Sequence, residues 1–177
     1  MNHGNAFAHL QVASSFSLQY GVSTPEALAQ QAAKLGHTSL ALTDRDGVRG
    51  AVRFVRACAQ AGIRPVLGTD LSLAPRPSPE LPKTTRRTPV HGGTWRAPAT
   101  TRVVFLARNH QGWSSLCRLL SAAYTGNPAA ATMSNLAEHS DGLVALIGPH
   151  SEIAAALVQR RYAEADRLIQ PWRELFG

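Results

Sequence analysis

Two carboxylates at the end of one apolar run are the residues whose types and spacing could do chemistry. Asp44 and Asp46 follow the run of residues 39–43, and Arg45 stands between them. In α/β proteins, binding and catalytic groups gather at the carboxyl ends of parallel strands. Carboxylates there can hold a divalent metal together with imidazoles, whereas a guanidinium offers only hydrogen-bond donors. Arg45 therefore decides which chemistry this strand end can support.

The elements that would position these carboxylates alternate between strands and helices. Apolar runs predict strands over residues 7–13, 38–43, 64–73, 102–107 and 142–148. Helical spacing predicts helices over residues 25–35, 47–61, 110–124, 133–139 and 151–168, with a break near residue 159 and another short helix from Pro171. This order implies right-handed crossovers and parallel pairing. We predict an α/β fold, an incomplete β/α barrel with parallel strands and helices outside. Such a barrel lacks its last strands, so we expect the N-terminal part of a longer chain.

Residues 74–101 break this alternation. Six prolines exclude regular structure over most of the segment, and we predict an exposed insertion. Its basic residues Lys83, Arg86 and Arg87 could contact phosphates of nucleic acid, although a solvated loop is the favoured interpretation. The net charge of +7 agrees with a polyanionic partner such as DNA without identifying one.

Composition narrows the class of protein. The chain of 177 residues is 44% hydrophobic and 6% aromatic, which is typical of an α/β protein and not of a disordered one. Cys58 and Cys117 lie on predicted helices without metal-binding or redox spacing. The N-terminus lacks the pattern of a signal peptide, and no apolar run reaches the roughly 18 residues of a membrane span. We therefore expect a cytoplasmic protein without a membrane partner.

A family resemblance covers nearly the whole chain. Six motifs carry it by their order and spacing: Phe7-Ala-His-Leu-Gln-Val-Ala-Ser-Ser-Phe-Ser-Leu, Ala41-Leu-Thr-Asp-Arg-Asp-Gly with Gly50-Ala-Val-Arg-Phe, Pro65-Val-Leu-Gly-Thr-Asp-Leu, Val104-Phe-Leu-Ala-Arg-Asn, Gly112-Trp-Ser-Ser-Leu-Cys-Arg-Leu-Leu-Ser and Gly142-Leu-Val-Ala-Leu. Together they resemble the N-terminal PHP domain (polymerase and histidinol phosphatase) of bacterial replicative or error-prone DNA polymerase III alpha subunits. The resemblance is strongest to a sub-branch from high-GC bacteria whose metal motif is eroded.

The resemblance implies a metal site that this chain has largely lost. The family's histidine-x-histidine matches Gln11 and Ala13, and a further family histidine matches Arg45. The family glutamate matches Asp70, and a histidine that opens the fourth strand matches Arg102. A cysteine or histidine after the fifth strand maps near Pro149 or His150, and two more ligands would lie beyond residue 177. The vestigial site positions are thus His9, Gln11, Ala13, Asp44, Arg45, Asp46, Asp70 and Arg102.

These replacements favour a cleft without metal or catalytic residues. Two guanidinium groups would repel a metal ion and would instead neutralise Asp44, Asp46 or Asp70. His9 could be a lone metal contact, but a histidine hydrogen-bonded inside the barrel is the favoured interpretation. Ser14, Ser15 and Ser17 form a polar loop at the cleft, without a partner that would make one of them a nucleophile.

The resemblance implies a part of a DNA-directed DNA polymerase in replication or error-prone repair synthesis. The polymerase reaction needs Mg²⁺ held by a palm domain that this chain lacks. We therefore expect no cofactor in this chain, no polymerase activity by it alone, and a scaffold role against the palm and thumb domains, with DNA as a possible neighbour. Two alternatives stay open. One is a stand-alone metal-dependent phosphoesterase or 3′–5′ exonuclease, and the other is a non-catalytic nucleic-acid-binding module.

Overall fold

Four strands and six helices make up the part of the chain that the computed structural model describes, residues 7–76 and 101–177. In chain order they are α1 (Pro25–Lys34), β1 (Ser39–Arg45), α2 (Ala51–Ala61), β2 (Arg64–Ser72), β3 (Arg102–Ala107), α3 (His110–Ala123), α4 (Met133–Glu138), β4 (Leu143–Leu146), α5 (Glu152–Val158) and α6 (Tyr162–Phe176). The predicted α/β class and the positions of most elements are confirmed. The central part of the predicted insertion, with Lys83, Arg86 and Arg87, lies outside the described residues.

The strands form one sheet in the order β1-β2-β3-β4, and its pairing is mixed. β1 and β2 are parallel, whereas β3 is antiparallel to β2 and β4 is antiparallel to β3. The prediction that all strands are parallel is therefore wrong for β3 and β4. The expectation holds only for the β1–β2 pair, which comes from the regular β-α-β part of the sequence.

The connections explain why β3 and β4 reverse direction. Ser72 at the end of β2 lies opposite Arg102 at the start of β3, so the chain re-enters the sheet at the end where it left. A parallel neighbour would instead require a crossover to the other end. Two helices, α3 and α4, join β3 to β4, and the second returns the chain to the end where β3 finished. Ala107 accordingly lies opposite Leu143.

The segment predicted as the first strand runs along the free edge of β1 without becoming a regular strand. The carbonyl oxygen of His9 accepts from the Ala41 N–H at 2.9 Å, and that of Val12 accepts from the Thr43 N–H at 2.8 Å. The Val12 N–H, however, donates to the side-chain oxygen of Thr43 at 2.9 Å. Because this N–H donates to a side-chain hydroxyl and not to a backbone carbonyl, the backbone pairing with β1 is limited to an isolated bridge between His9 and Leu40.

Both faces of the sheet carry apolar side chains, as the alternation of a buried strand requires. On β1, Leu40 and Leu42 pack against α1 and α2, whereas Ala41 joins Val104 and Leu106 on the opposite face. A larger cluster packs α3, α4, α5 and α6 against β2 and β3. The helices thus hold β1 and β2 in register, and the strand ends that carry the predicted site lie side by side.

The C-terminal helices differ from prediction at one proline. The predicted break near residue 159 is confirmed, because α5 ends at Val158 and Arg160 has a positive φ of 58°. Pro171, however, begins no new helix and lies inside α6. None of the helices in the described ranges is long and apolar enough to cross a membrane.

Candidate functional site

Asp44, at the end of β1, is held by a tight serine loop. The Ser14 N–H donates to Asp44 Oδ1 at 2.7 Å, and the hydroxyl of Ser17 donates to the same oxygen at 2.7 Å. The Ser14 hydroxyl reaches Asp44 Oδ2 at 2.8 Å. Gly21 allows the loop to close this tightly, because a Cβ at this position would lie only 1.8 Å from the Ser14 carbonyl oxygen. Asp44 is 2% exposed, so its charge is stabilised by neutral donors in a buried place.

Asp70, near the end of the neighbouring strand β2, is held by a buried arginine instead. Arg102 Nε donates to Asp70 Oδ1 at 3.0 Å, and Arg102 Nη1 donates to Asp46 Oδ2 at 3.1 Å. The same Nη1 donates to the hydroxyl of Ser72 at 2.6 Å, and Nη2 donates to the Asp70 carbonyl oxygen. Arg102 is only 9% exposed. We call Asp46, Asp70, Ser72 and Arg102 the Arg102 cluster.

Arg45 is a looser neighbour of this cluster. Its Nε lies 3.7 Å from Asp70 Oδ2, which is an ion pair rather than a hydrogen bond. Its guanidinium carbon lies 3.1 Å from the ring centroid of Tyr20, so the group also covers an aromatic face. The side chain is 22% exposed. The expected pairing of arginine with Asp70 and Asp46 is thus present, whereas Asp44 is paired with serines.

Asp46 adopts a strained turn that several contacts hold in place. Its φ of 48° lies in the left-handed region, which non-glycine residues seldom adopt. The Tyr124 hydroxyl donates to the Asp46 carbonyl oxygen at 2.6 Å, and the Ser72 N–H donates to Asp46 Oδ1 at 2.8 Å. The Asp46 N–H donates to the Asp70 carbonyl oxygen at 2.9 Å. The turn directs the Asp46 carboxylate onto Arg102 and away from Asp44.

The other vestigial positions supply little. Gln11 borders a pocket of about 10 Å³ together with Asp70, Arg102 and His150, but it is exposed. Ala13 has no side-chain donor. His9 is exposed, so the interpretation as a histidine bonded inside a barrel is wrong.

The position of His9 has a local cause. The edge pairing of its backbone with β1 turns its ring outward, where it stacks edge-on against Phe7 and His37 at centroid distances of 4.8 and 5.1 Å.

Sequence reasoning missed two members of the site. Ser72 stands two residues after Asp70 on β2, and this spacing on one face of a strand was the signal that could have found it. Tyr124, the residue that follows α3, contacts Asp46 across 78 residues of sequence, and no local pattern reveals that contact.

The residues present do not fit the metal cluster of the resembled family. Within the described ranges, no group of three or more His, Cys, Asp or Glu side chains is placed to share a metal ion. Arg102 donates through Nε, Nη1 and Nη2 into the space between Asp46 and Asp70, where a cation would have to lie. A metal ion there would meet a permanent positive charge and carboxylate oxygens that already accept hydrogen bonds. One buried guanidinium thus faces two carboxylates, and Arg45 at the rim supplies the second positive charge.

Comparisons with known proteins agree with the sequence resemblance. A family model described as PHP domain matches residues 9–177. An error-prone DNA polymerase from Mycobacterium bovis is 40% identical over 119 residues, which are 67% of this chain and 10% of that protein. A DNA polymerase III subunit alpha from Treponema pallidum is 31% identical over an alignment that covers 97% of this chain and 14% of that protein. An amidohydrolase structure from Chromobacterium violaceum aligns at 22% identity and a TM-score of 0.45, over 75% of this chain and 36% of that one.

The chain thus spans 10% to 14% of the length of these two polymerases. The family match, in contrast, covers nearly all of the chain. The residues that carry the resemblance include Asp44, Asp46 and Asp70, which the structure places at the ends of two neighbouring parallel strands. The chain belongs to the PHP domain family, and its relatives there are error-prone DNA polymerases and DNA polymerase III alpha subunits.

Proposed function

We propose that this chain is the PHP portion of a polymerase of the DNA polymerase III alpha type, and that its cleft is structural and non-catalytic. The observation that carries the second part is the buried Arg102, whose guanidinium lies between Asp46 and Asp70. The relatives, which are polymerases by name, support the first part. In this proposal the ion-pair cluster replaces the cations that would otherwise hold the strand ends together.

The charges in the cleft support a structural role. Two acidic side chains, Asp46 and Asp70, face Arg102, and Arg45 adds a second guanidinium at the rim. Burying carboxylates without a partner costs several kcal/mol per charge, so some cation has to occupy this place. Arginine fills it permanently because the guanidinium does not lose its proton at any physiological pH. The cleft is thus stable without a supply of metal ions.

The same residues argue against hydrolysis at this cleft. Phosphoester cleavage at a metal centre depends on a metal-held water and on carboxylates or imidazoles that orient it. Asp46 and Asp70 are engaged by Arg102, and Asp44 is engaged by Ser14 and Ser17. We therefore propose neither 3′–5′ exonuclease nor stand-alone phosphoesterase activity for this chain.

The remaining parts of the proposal concern the parent protein. We propose that the palm and thumb domains of a polymerase are its partners, that Mg²⁺ belongs to the palm, and that the sheet is part of a PHP-type β/α barrel. The parent would work in the cytoplasm in DNA replication or error-prone repair synthesis. These points rest on the polymerase relatives and not on contacts in this structure.

Metal analysis together with a nuclease assay tests the proposal. The purified chain is incubated in turn with Mn²⁺, Zn²⁺ and Mg²⁺, separated from free metal and measured by mass spectrometry. Degradation of a 5′-labelled single-stranded oligonucleotide is followed in parallel. We expect far less than one metal ion per chain and no shortening of the oligonucleotide. The Arg102→Lys variant keeps the positive charge and is expected to behave in the same way.

A restored variant shows that the assay can detect a PHP-type site. Gln11→His, Ala13→His, Arg45→His and Arg102→His are combined in one chain, and circular dichroism confirms that it folds. We expect this variant to retain more metal than the natural sequence. A natural chain that carries a stoichiometric metal ion, and loses it with Asp70→Asn, would overturn the proposal.

A further inference from the structure

A groove lies between α2 and α3, on the helical side of β2 and away from the Arg102 cluster. It consists of two adjoining pockets, one of about 260 Å³ and one of about 570 Å³, which share Leu67 and Trp113. Val52 and Val55 of α2 line the smaller pocket, and the turn between β3 and α3 lines the larger one. We call this feature the α2–α3 groove.

The groove exists because β2 extends past β3. β3 pairs with β2 only from Gly68 to Ser72, so residues 64–67 have β1 on one side and, within residues 7–76 and 101–177, no strand on the other. A free strand edge of this kind can accept an added strand, but Pro65 removes one of its backbone donors. A docked segment would therefore be held by side chains rather than by a backbone ladder.

The surface of the groove is apolar with a basic rim. Val52 is 64% exposed and Val55 is 38% exposed, although both belong to a helix whose other face is fully buried. Arg56, Arg64 and Arg108 surround this apolar strip, and all three are exposed. No acidic residue lines either pocket, and none of these three arginines forms an ion pair within residues 7–76 and 101–177.

We propose that the α2–α3 groove docks an acidic amphipathic helix of another protein. Apolar side chains spaced three and four residues apart would lie on Val52, Val55 and Trp113. Carboxylates on the flanks of that helix would reach the unpaired arginines, which supplies charge complementarity. Tryptophan at the base of a pocket is the residue type that most often dominates the energy of such contacts.

Other occupants fit the groove less well. A second copy of this chain brings a net charge of +7 against an already basic rim. Residues 77–100 of the chain itself contain four basic residues and one acidic residue, so their charge also opposes docking there. Single-stranded nucleic acid prefers several aromatic stacking surfaces, whereas aliphatic side chains dominate this groove around Trp113.

A fluorescence anisotropy titration tests the proposal. The probe is a labelled synthetic helix with leucines at the spacing i, i+3, i+4 and i+7 and glutamates elsewhere. We expect the full chain to bind it, with an affinity that weakens as salt is added. Val52→Asp is expected to weaken binding by about tenfold or more, because it places a like charge on the apolar strip. Arg108→Glu is expected to weaken binding and to reduce the salt dependence.

Matched controls separate docking in the groove from nonspecific binding. Val158→Asp alters a valine at the end of α5 that is 84% exposed and lines neither pocket, and it should leave binding unchanged. A probe with the same composition but scrambled leucines should bind at least about tenfold more weakly. The proposal is overturned if the helical probe does not bind, or if Val52→Asp and Val158→Asp have equal effects. It is also overturned if the groove variants abolish self-association or oligothymidine binding while leaving the probe unaffected.

Discussion

Asp44 and Asp70 are two buried carboxylates whose negative charges are stabilised by different kinds of hydrogen-bond donor. They stand at the ends of neighbouring parallel strands and are 2% and 6% exposed, respectively. Asp44 accepts hydrogen bonds from neutral groups of a nearby loop, whereas Asp70 accepts from the guanidinium of Arg102. The first arrangement contains no counter-ion, whereas in the second Arg102 and Arg45 supply positive charge to Asp46 and Asp70.

This difference shows how a metal-type cleft can persist without suitable metal ligands. At Asp44 the loop wraps closely enough to bring three polar hydrogens to one carboxylate, so no cation is needed. At Asp70 the carboxylate of Asp46 is also directed inward, and two like charges there require a positive partner. The single carboxylate of Asp44 is thus stabilised by neutral donors, whereas the two carboxylates of Asp46 and Asp70 require an arginine.

Removal of Arg102 should have the largest effect. Arg102→Met leaves Asp46 and Asp70 with only the long, partly exposed contact of Arg45, and we expect a loss of about 3–5 kcal/mol in the free energy of unfolding. Arg45→Met is the matched control. Its ion pair is 3.7 Å long and partly exposed, so we expect a loss of less than about 1 kcal/mol. Urea unfolding of both variants measures the difference.

A second substitution shows whether charge is the cause. Combining Arg102→Met with Asp70→Asn removes the unpaired charge, and it should restore a part of the lost free energy. If the double variant is no more stable than Arg102→Met alone, the loss comes from the packing of the arginine stem and the comparison between the two carboxylates fails.

The serine loop should show a smaller effect. Ser17→Ala removes one donor to Asp44 and also the acceptor of the Arg45 N–H, and we expect a loss of about 1–3 kcal/mol in unfolding free energy. Ser114→Ala is the control, since the hydroxyl of Ser114 is exposed and contacts only the His110 carbonyl oxygen. Equal urea midpoints for the two variants would show that Asp44 does not depend on its neutral donors.

The sequence indicated the strand ends of this site because their signals are local. An apolar run that ends in a carboxylate predicts a buried strand with a polar residue at its end, and Asp44 lies where this pattern placed it. The family resemblance, in contrast, indicated Asp70, which lies near the end of β2. The preference of Arg102 for carboxylates also follows from residue type alone. These parts of the prediction needed no knowledge of long-range contacts.

The parts that failed depend on connections between distant segments. β3 pairs antiparallel to β2, and Thr101 lies beside Leu73, whose N–H donates to the Thr101 carbonyl oxygen; strand periodicity does not encode this juxtaposition. The choice of partner for Asp44 is decided by how closely the loop around Ser14 and Ser17 approaches β1. Sequence patterns thus indicate which polar side chains need a partner better than they indicate which distant residues provide it.

Glu152 offers a third carboxylate and the smallest expected effect. Its Oε1 lies 2.6 Å from Arg76 Nη2, yet burial raises the pKa of Glu152 above its ordinary value, while the positive charge of Arg76 only partly opposes this. A carboxyl with a raised pKa in the folded state contributes stability that is present below the unfolded pKa and is lost as pH rises through the folded pKa. Relative to Glu152→Gln, the natural chain should therefore lose stability as pH rises above the ordinary glutamate pKa of about 4.3. Urea midpoints at increasing pH measure the trend. Glu138→Gln, at a carboxyl 72% exposed, is the matched control. A natural chain that instead gains stability with pH would mean that Arg76 outweighs burial, and that Glu152 resembles Asp70 after all.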